Sequence, residues 1–125
     1  MNVQKHALRG KPLLQLIADA ALAKKAEDIV VLSLEEESGI ADWFLVCQGD
    51  NPLHNRAIAG SIMDSLDEHG LSPWHAEGLA EGRWILLDYS DVIVHVMIPE
   101  ARRYYALEEL WQPGDVALVK RDPHE

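Results

Sequence analysis

Apolar and polar positions alternate most clearly between Gly82 and Trp111, GRWILLDYSDVIVHVMIPEARRYYALEELW. Two apolar runs, Trp84–Leu87 and Val92–Met97, flank the polar Asp88-Tyr89-Ser90-Asp91. That pattern predicts a β-hairpin with a four-residue connection. Successive side chains point to opposite faces of a strand, so Trp84 and Leu86 share one face and Ile85 and Leu87 the other. Val92, Val94 and Val96 lie together, with Ile93, His95 and Met97 opposite. Both faces are mostly apolar, which places the hairpin in the middle of a sheet covered on both sides. Pro99 ends the second strand, and a helix is expected from there to Trp111, with Glu100 near its positive end. Tyr104, Leu107, Leu110 and Trp111 form its apolar side, and Pro113-Gly114 stops it.

The same reading supplies the covers. Leu13, Leu16, Ile17, Ala20 and Ala21 recur at helical spacing, so a helix is predicted from Pro12 to about Ala26. Ile29–Leu34 is short and β-branched and reads as a strand, and Asp42–Cys47 as the next. Gly49-Asp50-Asn51-Pro52 breaks that strand, with Asn51 as a helix cap and Pro52 in the first helical position. Ile58, Ile62 and Leu66 then define an inward stripe that Ala59 and Met63 widen, and Gly70 ends the helix. Pro73–Glu77 is a candidate short strand. The expected fold is an α/β domain whose mixed sheet is flanked by helices. Residues 1–11 are read as a flexible segment, 12–111 as the domain, and 112–125 as a C-terminal extension. Strand order does not follow from the pattern.

Composition narrows the function classes. A chain of 125 residues with 48% hydrophobic content forms one domain with a real core. No apolar run approaches the ~18 residues of a membrane span, and the first residues lack a signal-peptide core. One cysteine, Cys47, offers no disulfide framework, which fits a cytoplasmic location. The net charge of −10 is uneven: residues 26–101 carry fifteen acidic groups against Arg56 and Arg83. Such a surface opposes extended contact with nucleic acid and suits a basic protein partner, besides keeping the protein soluble.

Candidate chemistry is sparse. Asp88 and Asp91 are the most visible carboxylate pair, yet their place between strands also explains them as turn residues. His95 lies within a strand, where a hydrogen-bonded sheet histidine is the simpler account. No Cys pair and no His-Glu-x-x-His pattern supports a zinc site, and no cofactor is expected. Cys47 ends an apolar strand, where a free cysteine packs well, so a catalytic pair with His54 is poorly supported. The loop Gly49–His54 lacks a phosphate-binding glycine pattern, and Asp50 would repel an anion. The aromatics Trp84, Tyr89, Tyr104, Tyr105 and Trp111 cluster in the last third and suit protein recognition. Tyr89, in the hairpin connection, is the one expected to be most exposed.

In combination these blocks resemble the Iojap family, also called ribosomal silencing factors. The blocks are Ala26–Leu32, Ser38–Phe44, Cys47-Gln48-Gly49, His54, Ala57-Ile58-Ala59, Glu77-Gly78 and, most strongly, Trp84–Met97. Arg103, Tyr105, Leu107, Glu108, Leu110 and Trp111 complete the match, which covers about Leu13–Trp111. The resemblance implies a fold like that of nucleotidyltransferases and a non-enzymatic repressor of translation. Such a factor binds the large ribosomal subunit through its protein number fourteen and blocks joining of the small subunit. Organellar members imply large-subunit maturation as the alternative, and family crystals imply a homodimer as one assembly. Carried onto matching positions, the protein-binding residues are Trp84, Leu87, Asp88, Tyr89, Asp91, His95, Arg103, Tyr105 and Trp111. Metal-dependent nucleotidyl transfer is a further alternative, weakened because no paired acids follow Ser38-Gly39 closely on the next strand. One departure stands out: relatives often carry a small polar pair and an arginine where this chain has Asn51-Pro52-Leu53. Any contact made by that arginine is therefore not transferable.

Overall fold

The computed structural model describes residues 9–34 and 39–105, with the backbone alone for Tyr105. Their order is α1 (Gly10–Ala23), β1 (Glu27–Ser33), β2 (Trp43–Gln48), α2 (Pro52–Asp67), β3 (His75–Glu77), β4 (Trp84–Asp88), β5 (Val92–Met97) and α3 (Pro99–Tyr105). The strands form one five-stranded sheet in the order β1-β2-β5-β4-β3. Neighbours β1 and β2, β4 and β5, and β3 and β4 are antiparallel; the central pair β2 and β5 is parallel. The mixed sheet with flanking helices is the architecture expected from the pattern.

The hairpin occupies the predicted place, and β5 is buried along its whole length. Its connection is one residue shorter than expected, because Asp88 still pairs with Ile93 as part of β4. The turn is held by Tyr89 N–H donating to the Val92 carbonyl at 2.9 Å and by Ser90 N–H donating to Asp88 Oδ1 at 2.9 Å. Ser90 takes φ 74°, the left-handed region that so tight a reversal demands.

Helix α1 starts two residues before Pro12 and ends at Ala23, three residues short of the expected end. The N-terminus of α2 follows the sequence closely. Asn51 Oδ1 accepts the His54 N–H at 2.9 Å, and Pro52 occupies the first turn. Gly70 sits at φ 78° beyond the helix end. The reading of residues 1–11 as flexible falls mostly outside the described residues. So do the helix beyond Tyr105, including Trp111, and the 112–125 extension.

The sheet separates two apolar layers. Helices α1 and α2 cover one face, burying Leu14, Ile17, Ile58, Ile62 and Leu66 against Val31, Leu45, Ile85, Leu87, Val94 and Val96. The opposite face carries the smaller cluster of Leu32, Phe44, Val46, Ile93 and Met97, with Ala101 of α3 packed on it. Trp84 and Leu86 lie at its margin, only partly buried. The amphipathic pattern thus gives one thick core and one thin one, and the thin one leaves aromatic surface at its edge.

Candidate functional site

The thin face carries the candidate site. Phe44 on β2, His95 on β5 and Trp84 on β4 form an aromatic row across three adjacent strands. Pairing sets the row: β5 places His95 beside Val46 on one side and Leu86 on the other. Phe44 and Trp84 are then its diagonal neighbours, within reach of long side chains. The Phe44 and His95 rings meet edge to face, with centroids 4.5 Å apart at 67°. Trp84 and His95 are tilted by 45° at 5.9 Å. Trp84 Nε1–H donates to His95 Nδ1 at 3.0 Å.

That bond settles the histidine's chemistry. Nδ1 accepts, so the neutral ring carries its proton on Nε2, and this donor is buried without a hydrogen-bond partner. With 4% of His95 accessible, burial pushes its pKa down to about 4. His95 is therefore neutral near pH 7. It is the hydrogen-bonded sheet histidine expected from the pattern.

Two sequence expectations fail here. Tyr89 is 7% accessible rather than exposed. The connection folds its ring onto the helix-covered core, where burial, with the Asp67 carboxylate nearby, raises its pKa to about 12. Leu87 is completely buried in the same core. The alternation of β4 points Leu87 away from Trp84, so neither Leu87 nor Tyr89 is part of the thin face. Both residues pack into the core on the opposite side of the sheet. Asp88 and Asp91 are half-buried at the end of the hairpin. Asp88 caps the turn, and the Asp91 carbonyl accepts the N–H groups of Asp42 at 2.9 Å and Trp43 at 3.0 Å. Arg103 is exposed on α3. Trp111 and the Tyr105 side chain lie outside the described residues.

The α3 helix is fastened at its start. Arg102 N–H donates to the Ile98 carbonyl at 3.0 Å, and its buried guanidinium reaches Gln48 Oε1 at 3.4 Å. Cys47 beside it is fully buried, and burial pushes the thiol up to about 12, only partly offset by Arg102. A thiol in that state is not a nucleophile. His54 has a structural role as well. Its Nδ1 accepts the Asp50 N–H at 2.9 Å, so Nε2 donates to the Lys24 carbonyl at 2.7 Å. This ties the turn after α1 to the start of α2. Among the described residues no group of three His, Cys, Asp or Glu side chains is placed to hold a metal ion. No helix among them is long and apolar enough to cross a membrane.

Two residues escaped the sequence reading. Phe44 joins the row only because β2 pairs with β5, a neighbourhood invisible in local pattern. Trp74, just before β3, is 78% accessible; β3 is an edge strand, which local pattern does not reveal.

The candidate site is thus one half-buried indole backed by two buried rings of the sheet, with carboxylates at the turn end, on a small α/β domain. A family model described as "Ribosomal silencing factor during starvation" matches residues 7–124. The chain belongs to that family. It is 44% identical over 112 residues to ribosomal silencing factor RsfS of Bacillus subtilis, covering 90% of this chain and 93% of the relative. A crystal structure of a Chromobacterium violaceum protein shares 33% identity with a TM-score of 0.77, covering 82% of this chain and 86% of that one. Mouse "Mitochondrial assembly of ribosomal large subunit protein 1" is 28% identical over 92 residues, covering 70% of this chain but 40% of the relative.

Proposed function

We propose that this protein represses translation sterically, from the cytoplasm and without catalysing a reaction. It binds the large ribosomal subunit through its protein number fourteen and occupies space that the small subunit requires. The observation that carries the reading is the family match, which runs over residues 7–124 and includes the strands that build the aromatic row. The chemistry of the site supports it. A half-buried indole beside exposed α3 residues offers apolar contact, and Asp88 and Asp91 offer acceptors to basic groups on a protein partner. The contact surface in this reading comprises Trp84, Asp88, Asp91, Arg103, Tyr105 and Trp111, with His95, Leu87 and Tyr89 as its support. The net charge of −10 favours a protein contact over an RNA contact.

The test is direct. The full-length protein is sedimented with isolated large subunits, and small subunits are then added. Saturable binding with loss of joined ribosomes is the expected result. Absence of binding in low salt refutes the reading. A second reading, large-subunit maturation, is favoured by the name of the mouse relative. It predicts binding to large subunits with joining left intact.

A further inference from the structure

The indole of Trp84 is held in an unusual way for a residue at the edge of a surface. Its one polar group points inward, to a histidine that is almost completely buried. The remainder of the ring is only partly covered. We infer that His95 is a positioning residue for recognition. By accepting the indole N–H of Trp84 it fixes the ring in one orientation, and it presents the carbon edge to the partner. The group received at this point is therefore apolar, an aliphatic or proline side chain, and not a hydrogen-bond acceptor. The inference rests on the reading that the Trp84 face is the protein-binding surface.

Three features make the arrangement a lock. His95 cannot rotate away, because Phe44 stands edge-on against its other side at 4.5 Å. It sits on β5, which has a paired strand on each side, so the acceptor is fixed by the rigid part of the sheet. Near pH 7 the neutral ring has its proton on Nε2, so Nδ1 is available to the indole. A side chain held in its bound rotamer loses less entropy on association. Sequestering the N–H also sets specificity, because a partner that approaches with an acceptor finds no donor there.

Four variants of the full-length protein test this: His95→Leu, His95→Gln, Trp84→Phe and Trp84→Ala. Each is read by solvent exchange of the Trp84 indole proton, where present, and by affinity for isolated large subunits. His95→Leu removes the acceptor at similar volume, and indole exchange should accelerate and affinity fall by about fivefold to tenfold, the worth of one hydrogen bond. His95→Gln, whose Oε1 accepts, should restore most of both. Trp84→Phe keeps an apolar edge without the N–H and should bind within about threefold of the native protein, whereas Trp84→Ala should lose more than about thirtyfold.

The inference is overturned if His95→Leu leaves indole exchange and affinity unchanged, or if His95→Gln behaves as His95→Leu. It is also overturned if Trp84→Phe binds as weakly as Trp84→Ala, since the partner would then read the N–H itself. Native affinity in Trp84→Ala would instead refute the choice of binding surface. Indole exchange would still report on the His95 lock without any partner.

Discussion

Replacing Leu87 by alanine separates support from contact. The side chain is fully buried, and its strand lies between β3 and β5, pairing Leu87 with Ala76 and Val94. Strands on both sides limit how far the backbone can collapse into the space left behind. Deleting three carbons from such a site costs ~2–5 kcal/mol, and restricted collapse puts the value at about 3 kcal/mol or above. In a domain of this size that lowers Tm by roughly 12–24 °C. Against a typical total of about 5–15 kcal/mol the variant remains folded in the cold. The assay is urea unfolding followed by circular dichroism, with the slope expected to be unchanged and the midpoint lowered. Large-subunit binding measured in the cold should match the native protein, because Leu87 does not reach the thin face. A stability loss below about 1 kcal/mol accompanied by a tenfold loss of binding would refute the reasoning and make Leu87 a contact residue.

Two other outcomes follow from buried ionisable groups. The pKa of His95 is lowered from 6.5 to about 4 by burial, so the unfolded chain takes up a proton that the folded chain resists. The associated stability is complete above pH 6.5 and falls, by on the order of 3 kcal/mol, as pH drops from 6.5 towards 4. Unfolding midpoints on the two sides of pH 6.5 should therefore differ more in the native protein than in His95→Gln; equal differences would contradict the burial argument. Cys47, its thiol raised to about 12, should react with an aromatic disulfide reagent only as fast as the protein opens, measured by colour release with and without urea.

Local pattern carried much of the fold. The β4–β5 hairpin, the Asn51-Pro52 helix start and the stop at Gly70 were all readable, because each depends on neighbours in sequence. The strand order was not readable, since joining β2 to β5 is a long-range choice. That missing pairing also hid Phe44 from the site. Tyr89 shows a different limit. Polar neighbours in a connection suggest exposure, but Ser90 in the left-handed region turns the loop so that the ring packs inward. The separation of Trp84 from Leu87 was visible in the period of two, although which face had the thicker cover depended on where α1 and α2 settle.

The parallel pairing at the centre of the sheet has a consequence for how the protein is made. It joins Trp43 to Val92, a separation of nearly fifty positions that makes the contact slow to form. While the chain is being synthesised, β1 and β2 emerge long before β5 does. The inner edge of β2 then has no strand to pair with, and Phe44 and Val46 have no sheet beside them. Completion of the sheet waits until β5 has left the exit tunnel. The nascent chain is therefore most prone to aggregate in that interval, through an edge that the finished protein does not possess.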